Sequence, residues 1–140
     1  MKNKIIFVSV LSLLFVVGCS GKVRLSGKVV YSNDKSPVPL GTVCIETETY
    51  QARGNIKQDG TFVISSFREN DGLPPGSYRV YIAGAQKIIG QDRDGINIYE
   101  PLISPEFCSI STTNITIDIK STTKDFEIVV DRYRPTKAKK

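Results

Sequence analysis

A chain of 140 residues carries 19 Lys+Arg against 14 Asp+Glu, a formal charge of +5, and is long enough for one domain with its own core. Histidine is absent throughout, which excludes Ser-His-Asp and Cys-His nucleophile systems and the commonest ligand of catalytic zinc, copper and non-haem iron. The basic residues are scattered, apart from a cluster at the C-terminus, so no nucleic-acid partner is expected.

Lys2 and Lys4 precede an apolar run from Ile5 to Val17, which ends in Gly18-Cys19. A positive n-region, a short h-region and a small residue at the cut are the anatomy of a secretory signal, expected here as a helix over residues 1–18. The run is short of the about 20 apolar residues that span a bilayer. Gly18-Cys19 resembles a bacterial lipobox, in which Cys19 becomes the acylated first residue of the mature protein. Ser20 in the next position resembles lipoproteins sorted to the outer membrane. The resemblance implies a lipid-anchored protein of the bacterial cell envelope, with residues 19–22 as tether. Cys44 and Cys108 then remain, in a compartment where disulfides persist. A bridge between them is expected, with two separate buried thiols as the alternative.

From Val23 the apolar residues alternate with polar ones. Val29 and Tyr31, Val43 and Ile45, Phe62 and Ile64, Val80 and Ile82, Ile117 and Ile119, and Ile128 and Val130 each mark a strand with one face in a core. Asn33-Asp34, Asp59-Gly60, Asn70-Asp71-Gly72 and Ser121-Thr122 punctuate the runs. Seven strands are expected, over 23–31, 42–47, 51–57, 60–66, 77–83, 114–120 and 124–131, forming an all-β, two-sheet sandwich across residues 23–131. Residues 84–113 form a long connection with weak strand character, and connections of that length are usually functional or hide an element. If consecutive strands alternate in direction, the first and seventh point the same way. The C-terminus then leaves from the end far from the anchor.

Gly27-Lys28-Val29-Val30-Tyr31, Val38-Pro39-Leu40-Gly41-Thr42-Val43, Asp59-Gly60-Thr61-Phe62 and Pro75-Gly76-Ser77-Tyr78-Arg79-Val80 occur in that order. They resemble the carboxypeptidase regulatory-like, transthyretin-like domain. The stretch Ser65–Ile82 and then Ile103-Ser104-Pro105-Glu106-Phe107 resemble its subset of small envelope lipoproteins. The resemblance implies a seven-stranded, prealbumin-like Greek-key β-sandwich that acts as a binding or accessory module without catalysis. A transthyretin-like hydroxyisourate hydrolase shares this architecture, but its essential histidines have no counterpart here.

Two regions are candidate binding sites. Asp92-Arg93-Asp94-Gly95-Ile96-Asn97 opens like a calcium loop, with Asp92, Asp94 and Asn97 as candidate residues. It lacks the closing bidentate glutamate, and an Asx turn is the alternative. The tail 132–140 holds Arg132, Arg134, Lys137, Lys139 and Lys140, expected to be a solvated end or a contact for anionic glycan or an acidic protein face. No metal or cofactor is expected. The expected function is a non-catalytic, lipid-anchored envelope module that binds glycan, peptide or a partner protein. The alternative is an abundant structural surface lipoprotein without a small ligand.

Overall fold

In the computed structural model, residues 21–68 and 71–135 are described. The expected signal helix, Cys19, Lys137, Lys139 and Lys140 lie outside them. Among the described residues the chain forms nine strands: β1 Leu25–Tyr31, β2 Thr42–Glu46, β3 Gln51–Asn55, β4 Thr61–Val63, β5 Gly76–Ala83, β6 Gln86–Gln91, β7 Asn97–Pro101, β8 Ile115–Ile119 and β9 Thr123–Val130. A single 3-10 turn over Pro105–Phe107 precedes β8. The fold is all-β.

Three sheets result, in the orders β4-β1-β9, β3-β2-β5-β8 and β6-β7. The first two stack in a sandwich-like arrangement around one core. Alternation explains it. On β5, Tyr78, Val80 and Ile82 are buried while Ser77 and Arg79 are exposed. Val43 and Ile45 of β2, Ile117 and Ile119 of β8, and Leu25, Val29, Ile128 and Val130 of β1 and β9 meet them in the same cluster. Phe62, Ile64, Leu73, Ile103 and Phe107 close its ends.

The expectation of seven strands is corrected to nine. The two additional strands, β6 and β7, lie in the 84–113 connection and, among the described residues, pair only with each other. Periodicity passed over them because nearly every residue of both is exposed or half-exposed, so no apolar face alternates inward.

The expected bridge between Cys44 and Cys108 is not formed: both are free thiols, the first buried and the second exposed. Val43 and Ile45 face the core, so Cys44 between them faces the opposite side of the sheet, in register with Arg53 and Tyr81. Cys108 caps the 3-10 turn. The turn is held beside the other sheet, where the Ser104 N–H donates to the Asp131 carbonyl just after β9. One thiol lies on the outer side of a central strand and the other on a loop tied to a different sheet.

β1 and β9 pair in parallel, from Leu25↔Thr123 to Tyr31↔Val130. The sandwich therefore has two distinct poles. At one, the described chain enters through Gly21 and Lys22, and Val23 bridges Leu73. At the other, about 20 Å away along β1, β1 and β9 both end. The tail expected to begin at Arg132 starts later than that: Arg132 bridges Ile103, and the Tyr133 N–H donates to the Leu102 carbonyl at 3.2 Å. These backbone bonds hold the first tail residues against the domain.

Candidate functional site

The far pole gathers most of what stands out chemically. Beyond Tyr31 the chain turns through Asp34, whose carboxylate accepts from the Ser36 N–H at 3.0 Å and hydroxyl at 2.7 Å. These two bonds, with Arg132 beside them, hold the Asp34 carboxyl below its ordinary pKa. Arg132 follows β9 and reaches back over the same turn. It donates to Asp34 Oδ2 at 3.0 Å and to Ser36 Oγ at 2.6 Å, and its guanidinium lies 3.7 Å from the centroid of the Tyr31 ring. Burial raises the Tyr31 pKa, with Arg132 opposing the rise. Ser32 donates through its hydroxyl to Asp131.

The β6-β7 hairpin rises from this pole. Its base is fixed where the Leu102 N–H donates to the Ala85 carbonyl at 2.9 Å, and Lys87 pairs with Glu100 at 2.7 Å. A cleft of about 160 Å³ runs between hairpin and sandwich, lined by Tyr31, Lys87, Glu100, Arg132, Tyr133 and Pro135 among others. A second hollow of about 240 Å³ joins Ser104, Pro105, Asp131, Arg132 and Arg134. Arg132 borders both.

Ile88 stands opposite Tyr99, and Ile98 opposite Gly90 across a bulge at Ile89. Ile88, Ile89, Ile96, Ile98 and Tyr99 are all exposed, with Ile96 at 64%. Isolated two-stranded ribbons are marginal in water, and among the described residues nothing pairs with the outer edge of either strand. The concentration of exposed branched apolar residues on such a ribbon makes it a candidate interaction surface.

The structure places the three loop candidates at the hairpin turn. Asp92 Oδ1 accepts from the N–H of Asp94 and of Ile96, each at 2.9 Å, and the Asp92 carbonyl accepts from the Gly95 N–H at 3.1 Å. Asn97 accepts from Gln91 Nε2 at 3.0 Å. This is an Asx-type turn closed by its own amides. Among the described residues no group of three His, Cys, Asp or Glu side chains is placed to hold a metal ion. Asp92, Asp94 and Asn97 thus share a pole with Arg132 and Arg134, the turn residues on the hairpin tip and the arginines at its foot.

The apolar residues of the hairpin escaped the sequence reading, although a signal was available. Asp94-Gly95 lies between Ile88-Ile89 and Ile98-Tyr99, and Asp-Gly between apolar runs is a hairpin mark. Phe67, exposed at the opposite pole, carried no such signal.

No family model matches the chain, and no curated protein matches it. Among solved structures, a 9R-lipoxygenase from Cyanothece PCC8801 is similar at 15% identity with a TM-score of 0.41. The match covers 85% of this chain and 18% of that one. Because that neighbour is an enzyme, the expectation of a non-catalytic chain is withdrawn. At this TM-score the likeness carries no argument that the chain is an enzyme either.

Proposed function

We propose that the chain is a lipid-anchored module of the bacterial cell envelope that holds a partner protein through its β6-β7 hairpin. The observation that carries this is the concentration of exposed Ile88, Ile89, Ile96, Ile98 and Tyr99 on a ribbon outside an otherwise closed core. Acylation at Cys19 would seat the opposite pole at the membrane, since only Ser20, Gly21 and Lys22 separate it from the first bridge, a reach of about 10 Å. The hairpin would then face away from the bilayer, as a recognition element for another envelope protein. Interfaces favour aromatic and branched apolar anchors with a polar rim, and Lys87 and Glu100 of the hairpin line the adjoining cleft with Arg132. The mixed charge of that cleft favours protein over glycan.

The carboxypeptidase regulatory-like, transthyretin-like assignment belongs to the same proposal. In its support, the two stacked sheets hold three and four strands, and the resemblance implies a sandwich of seven. The β6-β7 hairpin is then an insertion upon that sandwich.

The experiment is photo-crosslinking in intact cells from a reactive residue at Ile96, compared with one at Lys57 on the sandwich. A discrete heteromeric adduct from position 96 alone, lost on Ile88→Ser with Tyr99→Ser, supports the reading. An adduct with a second copy supports the structural alternative, in which the edges of β6 or β7 pair between molecules. The intact mass of membrane-purified protein tests the anchor separately.

A further inference from the structure

At the pole where the chain enters, Phe67 is 85% exposed, more than any other large apolar side chain among the described residues. Its placement is built rather than incidental. The carboxylate of Asp71 accepts from the backbone N–H of Ser66 at 2.7 Å, Phe67 at 3.0 Å and Arg68 at 3.2 Å, and from the Ser66 hydroxyl at 2.9 Å. Lys22 closes the loop from the other side. Its Nζ lies 3.1 Å from Asp71 Oδ2 and 5.4 Å from the centroid of the Phe67 ring. Three amides and one cation converge on a single carboxylate and hold an aromatic ring in the solvent. A ring held in this way has a fixed position and is open to whatever lies against this pole.

The position of Lys22 in the chain says what covers it. Cys19 is three residues upstream, so an acyl group there could lie no farther than about 10 Å from Lys22 along the chain. That is the depth scale of the boundary between headgroups and acyl chains, where phenyl rings settle with cations beside them. Arg24 and Lys124 are exposed at the same pole, and Thr123 is tied to Arg24 by its N–H donating to the Arg24 carbonyl at 2.8 Å. Their charge suits an anionic headgroup layer.

We infer that Phe67 is a second membrane contact, inserting into the bilayer interface beside the lipid and fixing the orientation of the domain. This inference rests on the lipid-anchor reading and adds to it a specific residue and a posture. A flexible tether alone would let the sandwich tumble. Two points of attachment hold β1 steeply to the surface and keep the β6-β7 hairpin away from it.

The chain contains no tryptophan, so a single replacement is a clean optical probe. The Phe67→Trp and Ile96→Trp variants of the full-length protein are purified from membranes, checked for acylation by intact mass, and placed in vesicles of zwitterionic and anionic phospholipid with brominated acyl chains. The expected result is an emission at position 67 that moves to shorter wavelength and is quenched by the brominated chains, with position 96 unquenched. An acylated protein whose position 67 emits as in water overturns the inference and leaves the anchor standing. A blue-shifted but unquenched signal also overturns it, because a protein surface rather than lipid then covers the ring. A mass without acyl chains removes the anchor and the inference together.

Discussion

The guanidinium of Arg132 lies against the Tyr31 ring at 3.7 Å and joins the end of β9 to the turn that follows β1. Tyr31 is 3% exposed, so the arginine forms part of the lid over the core. The same side chain pairs with Asp34 at 3.0 Å, which fixes the plane of the stack. The ring stack, the Asp34 pair and the Ser36 hydrogen bond of this one side chain thus tie the end of β9 to the turn that follows β1.

Arg132→Ala is therefore expected to destabilise the domain by about 1 kcal/mol, chiefly through loss of the stacked contact. Arg132→Lys should recover only part of this, because an ammonium lacks the planar face and the forked donors. Urea unfolding of both variants measures the difference. Equal stability of Arg132→Ala and the parent would show that the stack contributes nothing.

Two free thiols make a second expectation. Denatured but unreduced protein should take up an alkylating reagent at both Cys44 and Cys108. In the native state Cys108 should react first, because Cys44 is buried. Desolvation pushes the Cys108 thiol above its ordinary 9.0, so little thiolate exists near neutral pH. Its labelling rate should climb as pH rises through and beyond 9.0. Burial raises Cys44 likewise, with the Tyr81 hydrogen bond opposing. Mass spectrometry of timed samples resolves the order, and uptake only after reduction would restore the bridge.

Asp71 supplies a pH dependence. Its folded pKa is held far below the ordinary 3.8, first by the Ser66 and Phe67 amides. A carboxyl depressed in the folded state stabilises fully above its unfolded pKa and loses that contribution as pH falls toward the folded value. Stability should thus decline below 3.8 more steeply in the parent than in Asp71→Asn. The variant should also be less stable near neutral pH, because an amide cannot serve three N–H donors as a carboxylate does. Unfolding midpoints from neutral pH down to the acid range test both parts.

Which parts of this molecule could be read from the chain follows from which faces are buried. Val43 and Ile45, Val80 and Ile82, and Ile117 and Ile119 alternate because a core lies on one side, and their strands were legible within a residue or two. Ile88, Ile89 and Ile98 have no core to face, so period two gave no signal. The Lys22–Asp71 contact joins residues 49 positions apart, beyond the reach of any local motif. Pairing Cys44 with Cys108 rests on compartment and on their being the two cysteines left beside Cys19, and neither says from which side of a strand a thiol projects.

Gly27 is required by close approach. A Cβ at this position would run into the Phe126 carbonyl oxygen of β9, and backbone rather than a flexible side chain stands in the way. The register between β1 and β9 is irregular between Leu25 and Gly27, so the strands come together beside a bulge. Gly27→Ala should cost about 1–3 kcal/mol, measured by urea unfolding. A neutral result would mean that β9 moves away freely.

The hairpin separates stability from interaction. Ile88, Ile96 and Ile98 contribute nothing to the buried core cluster, so replacing all three by serine should shift folding stability by no more than about 0.5 kcal/mol per site. By contrast, Ile45→Ala removes a fully buried side chain and should cost about 2–5 kcal/mol. The triple variant should show less self-association in light scattering once detached from lipid, because an uncovered apolar ribbon with free edges drives aggregation. Melting curves and scattering on the same samples decide the matter. A large loss of stability in the triple variant would mean that the ribbon is structural, and its role as a partner-binding element would fall.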